Sequence, residues 1–235
     1  MEELARLAKG LGLALTSAQL DQFARYETLL VDWNQRLNLT AVREPSQIRL
    51  RHFFDSLTVA TVTGDLNDQT VVDVGSGAGF PGLPLKILFP ELKLTLVESI
   101  AKKARFLRAV VNSLQLHDVT ILAERAELVG QSEGRRATQD WAVARGVAEL
   151  RIVVEYLLPL CRLQGCIVAQ KGESAAAEVE RASPALGILG GRVEAITPVS
   201  LPGLDERHYL VVIRKIAATP EKYPRRPGMP AKRPL

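Results

Sequence analysis

A chain of 235 residues with 47% hydrophobic content is long enough to bury one substantial core, and a net charge of +4 excludes the strongly acidic and strongly basic classes. No apolar run approaches the ~18 residues of a membrane span, and the opening MEELARLAKG has acids where a signal peptide has an apolar core, which predicts a cytoplasmic protein. Cys161 and Cys166 have no companion ligand pair, so no disulfide framework or metal site is expected, only reduced core cysteines.

Residues 1–63 carry helical periodicity and no strand signal. Leu4, Leu7, Ala8 and Leu11 share one face, and Ser17 is placed to cap a second helix with apolar positions Leu20, Phe23, Leu30, Trp33 and Leu37. Pro45 opens a third helical segment that turns Ile48, Phe53, Leu57 and Ala60 inward. His52 and Asp55 lie three apart and share one face of it, and Asn38, in the link NLTAVRE, joins them as a polar candidate.

From Leu66 the pattern changes to strand, helix, strand, which predicts βαβ units and a parallel sheet. Strands are expected near 70–75, 93–98, 118–123, 140–145 and 165–170, with helices near 82–89, 101–115, 147–163 and 174–188. Segments 193–201 and 208–216 alternate as a final strand pair around the turn at Pro202 and Gly203. The expectation is an α/β fold: seven strands, mostly parallel, flanked by helices and preceded by an N-terminal helical cap. Residues 1–63, 64–216 and 217–235 form cap, main domain and tail.

The tail carries the charge. Residues 214–235 hold seven basic side chains and one acid, Glu221. Two readings stand side by side: an arm for an anionic polymer, whose phosphates it would neutralise, or a solvated, irregular end that aids solubility.

The stretch TVVDVGSGAGFPG, residues 70–82, reads as a buried strand entering a glycine loop, with helical spacing resuming at Leu83. Such a loop is expected to present backbone N–H groups at a helix N-terminus, suited to an anion or a carboxylate. Gly77, Gly79 and Gly82 formally match the dinucleotide pattern, with Glu98 about 20 residues on. Against that reading, Pro81 removes an N–H near the place of a pyrophosphate. Asp73, two residues before the first glycine of DVGSGAG, instead resembles the first motif of S-adenosylmethionine-dependent methyltransferases. Ligands of open α/β sheets sit outside the carboxyl ends of the strands, which gathers Asp73 to Phe80, Glu98, Ala126, Glu127, Arg145 and Lys171 at one edge.

Taken together, WNQRLNLT, RHFFDSL, DVGSGAGFPGLPLKI, LVES with KKARFL, and YPRRPGMPAKRPL resemble the glucose-inhibited division protein B family over almost the full chain. The resemblance implies a class I, Rossmann-like methyltransferase that modifies guanine N7 in bacterial small-subunit (16S) ribosomal RNA. It implies an S-adenosylmethionine site at Gly75, Phe80, Ala126, Glu127 and Arg145. The general methyltransferase pattern adds Asp73, Gly77, Gly79 and Glu98. Asn38, His52, Asp55, Arg145 and Lys171 are expected around the target base. The implied partner is ribosomal RNA, naked or in an assembling particle, and the protein is expected to be a monomer without metal. Gly146 departs from the family's alanine after the arginine.

Guanine N7 is an acceptor with a free lone pair, so its methylation requires no general base. The chain accordingly has neither the Asp/Asn-Pro-Pro-aromatic run of amine methyltransferases nor a Pro-Cys nucleophile loop. A methyltransferase of another substrate and an RNA-binding module with an inactive pocket remain as alternatives at this stage. A nicotinamide oxidoreductase lacks a second nucleotide half.

Overall fold

A computed structural model describes residues 1–235. Helices α1 (Glu2–Gly10) and α2 (Ser17–Leu37) lead into α3 (Pro45–Ile48), a π-helical turn (Arg49–Phe54), α4 (Asp55–Leu57) and α5 (Ala60–Thr63). There follow β1 (Thr70–Val74), α6 (Gly82–Leu88), β2 (Lys93–Val97), α7 (Ala101–Ser113), β3 (Val119–Leu122) and α8 (Ala126–Gln131). The second half comprises β4 (Gln139–Arg145), α9 (Leu150–Leu157), β5 (Cys161–Lys171), α10 (Ala175–Leu189), β6 (Gly191–Val199), β7 (His208–Lys215) and α11 (Met229–Lys232).

One seven-stranded sheet has the order β3-β2-β1-β4-β5-β7-β6, parallel except for β7, which runs antiparallel to both β5 and β6. The chain reverses its direction of sheet growth between β1 and β4, which opens a crevice at their carboxyl ends. Alternate side chains of β1 serve opposite faces: Val71 enters a core with α2, α6 and α7, and Val72 and Val74 enter one with α9 and α10. Helices of residues 2–63 contribute Leu4, Phe23, Tyr26, Leu30 and Phe53 to the first of these cores, so they pack on the sheet's helical layer directly.

The cap of α2 is Thr16, one residue before the expected Ser17. Thr16 Oγ1 accepts the Gln19 N–H at 3.2 Å while Gln19 Oε1 accepts the Thr16 N–H at 2.8 Å, a reciprocal capping box. The same glutamine donates from Nε2 to the carbonyls of Ile87 and Leu88, joining α2 to the end of α6. The segment opened by Pro45 buries Ile48, Phe53, Leu57 and Ala60 as expected, but the five-residue step from 48 to 53 is spanned by the π turn.

Two expectations are corrected, and one helix is added. The helix placed at 147–163 is confined to Leu150–Leu157, because β5 begins at Cys161 and is eleven residues long. Residues 126–131 form a helix. The tail is not irregular solvated chain: Tyr223, Pro224 and Pro230 are buried and α11 lies against α9. Cys161 and Cys166 are buried free thiols.

Candidate active site

The glycine loop is held from within. The Gly75 and Ser76 N–H groups donate to Val97 O at 2.8 and 3.2 Å, and those of Gly79 and Phe80 to Ser76 O at 2.7 and 3.0 Å. Gly77 N–H donates to Glu98 Oε2 at 2.9 Å, and Gly82 N–H to Asp73 Oδ2 at 2.9 Å. The expected open N-terminus of α6 is therefore not there: its carboxylate partner is the chain's own Asp73. Few N–H groups remain to cradle a pyrophosphate, which removes the main physical argument for a dinucleotide.

Asp73 is fully buried beneath the loop, and its Oδ1 has no hydrogen-bond partner. Burial raises its pKa to about 7, against the lowering effects of the Gly82 N–H and of Arg145. Gly75, Gly77 and Gly79 all have positive φ. A Cβ on Gly75 would lie 2.6 Å from Val147, and one on Gly79 would lie 2.5 Å from the Tyr26 hydroxyl, so neither position accepts a side chain. Tyr26, on α2, donates its hydroxyl to Ala78 O and stacks on Phe80 with ring centroids 5.6 Å apart. The N-terminal helices thus brace the loop directly.

Beside Gly75 lies a cavity of about 200 Å³ lined by Val97, Ala126, Glu127, Val147, Tyr156 and Ala231. Its mostly apolar walls suit a nucleoside. Glu127 is buried and accepts the Gly228 N–H on Oε1 at 2.8 Å. Glu98 is also buried, with Oε1 accepting the Ile100 N–H at 2.7 Å, so both of its oxygens support backbone. These residues fit S-adenosylmethionine: a cradle without side chains at Gly75, an apolar slot, and an acid at its far wall.

A second cavity, of about 370 Å³, adjoins the first across the β4–α9 loop: Arg145 and Gly146 face it, whereas Val147 and Ala148 face the cavity at Gly75. Here Arg145 Nη1 donates to Asp55 Oδ2 at 2.8 Å and to Arg51 O at 3.0 Å, and its guanidinium lies 4.9 Å over the Phe80 ring. Gln170 Nε2 donates to the same Asp55 oxygen at 3.0 Å, and His208 Nδ1 stands 3.4 Å from the other. Burial alone would raise the Asp55 pKa, but His208 and Arg145 outweigh it and hold the carboxylate ionised. His208 is raised in turn, chiefly by its contact with Asp55.

His52 stacks on Phe80 at 4.7 Å, with Nε2 2.7 Å from Thr40 Oγ1 and Nδ1 3.0 Å from Arg51 O. Burial first, and the charge of Arg145 second, depress its pKa to about 4, so the ring is neutral at physiological pH. Thr40 is itself fixed by Asn34, which exchanges two hydrogen bonds of 2.9 Å with its backbone.

The structure thus brings His52, Asp55, Phe80 and Arg145 into one cluster, and Gly75, Ala126 and Glu127 into the other. Phe80 and Arg145, expected at the methyl donor, lie with the residues of the larger cavity, and two further sequence candidates stand apart. Asn38 is the left-handed C-cap of α2 and is exposed, without a side-chain bond to the cluster. Lys171 borders the larger cavity, but its ammonium is bound to Ala148 O and, at 2.7 Å, to Glu178. Sequence reasoning passed over Tyr26, Asn34, Thr40, Gln170, His208 and Gly228. A signal existed for three: Asn34 and Thr40 both lie in WNQRLNLT, and His208 is one of only three histidines.

A family model described as rRNA small subunit methyltransferase G matches residues 19–209. The chain is similar to the ribosomal RNA small subunit methyltransferase G of Roseiflexus castenholzii, at 52% identity with all of both chains covered. The protein of that name from Acetivibrio thermocellus is 44% identical, over 97% of this chain and 93% of that one. Among solved structures, a SAM dependent methyltransferase from Aquifex aeolicus shares the fold, with a TM-score of 0.56 at 20% identity over 74% of this chain and 94% of that one. The seven-stranded sheet is accordingly that of the class I methyltransferases, and the chain belongs to the rRNA small subunit methyltransferase G family, enzymes that transfer a methyl group from S-adenosylmethionine to ribosomal RNA.

Proposed function

We propose that the larger cavity receives the target guanine and the smaller one the methyl donor, so that N7 is methylated in line, by positioning and without a general base. The observation that carries this reading is the shared wall: consecutive residues 145–148 border both cavities at the carboxyl end of β4. S-adenosylmethionine, when bound, supplies a methyl group on a positively charged sulfur.

The side chains match an acceptor that loses no proton. The pKa of His52 is depressed to about 4 and that of Asp55 is lowered by His208 and Arg145, so both are weak proton acceptors and neither is tuned as a general base near neutral pH. The ionised Asp55 favours the cationic N7-methylguanine as charge moves onto the ring. Arg145 orders the carboxylate, the Arg51 carbonyl and the Phe80 ring at once, and orientation of this kind supplies as much as ~7–11 kcal/mol in favourable cases. Lys171 positions the β4–α9 loop through Ala148 O, and Asn38 reaches RNA only outside the cavity.

In this reading residues 1–63 supply one wall of the acceptor cavity, 64–216 its other wall and most of the donor side, and 217–235 a strap that closes on the donor side. Exposed Lys222, Arg226, Lys232 and Arg233 add cationic surface toward small-subunit RNA. The enzyme works in the cytoplasm as a metal-independent monomer. Tritiated methyl transfer to naked 16S RNA and to small-subunit particles, followed by nuclease digestion, tests the reading. Label recovered as N7-methylguanine at one site is expected, and label at an exocyclic amine or a ribose would overturn it.

A further inference from the structure

The C-terminal strap is anchored to the two helices that border the donor cavity. Arg225 meets Glu155 of α9, a residue with no exposed surface, through Nε at 2.8 Å, Nη2 at 2.6 Å and its backbone N–H at 2.9 Å. Arg136 donates to the carbonyls of Thr219, Pro220 and Tyr223, and Gln131 of α8 to those of Glu221 and Pro224. Pro224 sits so close to α8 that a Cβ on Gly130 would approach it to 2.7 Å. These anchors bring Ala231 into the lining of the donor cavity and Gly228 N–H onto Glu127.

We propose that this strap is part of the methyl-donor site: it walls the cavity and orients Glu127 to recognise the exocyclic amine of the donor's adenine. The geometry divides the work of the carboxylate. Oε1 is occupied by Gly228, and Oε2, which makes no hydrogen bond within the protein, is left to accept from an amine. An acid held this way accepts from the 6-amino group of adenine and meets the 6-oxo group of hypoxanthine with repulsion. A solvated tail acting only through charge predicts no such selectivity.

The inference rests on the donor placement proposed above, and the test separates the two. Calorimetry compares S-adenosylhomocysteine with S-inosylhomocysteine on the full-length protein and on the full-length Arg225→Ala and Glu127→Gln variants, with binding to small-subunit RNA measured in parallel at two salt concentrations. The full-length protein is expected to prefer the adenosyl ligand by at least tenfold. Arg225→Ala should lose about tenfold in adenosyl affinity and most of that preference, with RNA affinity changed less than twofold; Glu127→Gln should lose the preference while keeping its melting temperature. Because Arg225→Ala leaves a buried glutamate unpaired, hydrogen exchange on the unaltered protein provides a second readout. Saturating S-adenosylhomocysteine should slow the amides of residues 228–233 at least tenfold. Strap exchange indifferent to ligand would overturn the proposal, as would adenosyl affinity within twofold of normal in Arg225→Ala. Failure of the unaltered protein to bind S-adenosylhomocysteine would overturn the donor placement as well.

Discussion

At the scale of single residues, Arg145 decides most. Its guanidinium serves Asp55, the Arg51 carbonyl and the Phe80 ring from a side chain only 18% exposed. In Arg145→Ala, Asp55 keeps Gln170 and His208, so the stability loss should stay near the ~1–3 kcal/mol of a broken buried hydrogen bond. In the proposed site the reacting geometry has no such substitute. Single-turnover methyl transfer at saturating RNA and donor is expected to fall more than about 100-fold, the scale of a misplaced positioning group. Melting temperature and rate measured on the same preparation distinguish these effects. His52 and Asp55 were legible as a pair from their three-residue spacing. Lys171 was legible as a strand-end cation, but its partner Glu178 lies on α10, and no local pattern announces that ion pair.

Among elements, α2 has the most consequential placement. Its apolar stripe and length follow from periodicity, whereas Tyr26 was unremarkable in the sequence because its value lies in reaching Ala78 across the fold. Tyr26→Phe keeps the ring against Phe53, Phe80 and Phe106 and removes only the hydroxyl. The expected cost is about 1 kcal/mol in denaturant unfolding, together with weaker S-adenosylhomocysteine binding as the glycine loop loosens. At the start of the same helix, Thr16→Ala should cost ~0.5–2 kcal/mol by opening the capping box, without altering ligand affinity. A Thr16→Ala effect on affinity equal to that of Tyr26→Phe would show that the loop responds to global stability alone.

For the whole molecule, two buried groups set opposing pH dependences. Asp73 is raised from 3.8 to about 7, so between those values the folded protein holds a proton that the unfolded chain has lost. Its stabilisation is full below pH ~4 and is lost as pH rises through about 7, at about 1.4 kcal/mol per pH unit. His52, lowered from 6.5 to about 4, behaves oppositely: the unfolded chain takes the proton, and stability is lost as pH falls through that window. The two slopes cancel, which predicts nearly flat stability from pH ~4 to ~6.5 in the protein without donor. Below pH ~4, protonation of Asp55, whose pKa is lowered overall despite burial, should bring the acid transition. Asp73→Asn should unmask the His52 slope, making stability fall with acidification across that window. Urea unfolding at half-unit pH steps measures it, and a flat profile in Asp73→Asn would refute the assignment.

The sequence by itself determined the seven strands, the helical N-terminus and the glycine loop, because hydrophobic period and glycine placement are local signals; the methyl donor was legible only through the resemblance of its motifs to those of methyltransferases. It also carried the family's motifs, including WNQRLNLT, whose Asn34 and Thr40 act on His52 twelve or more residues away. Only the tertiary structure decided where the loop's N–H groups go, that Asp73 caps α6, and that the basic tail is a strap. Charge is additive along a chain and reads equally well for a free arm or a packed one. The strap's fate depends on Glu155 and Glu127, which become its neighbours only when α8 and α9 pack on the sheet.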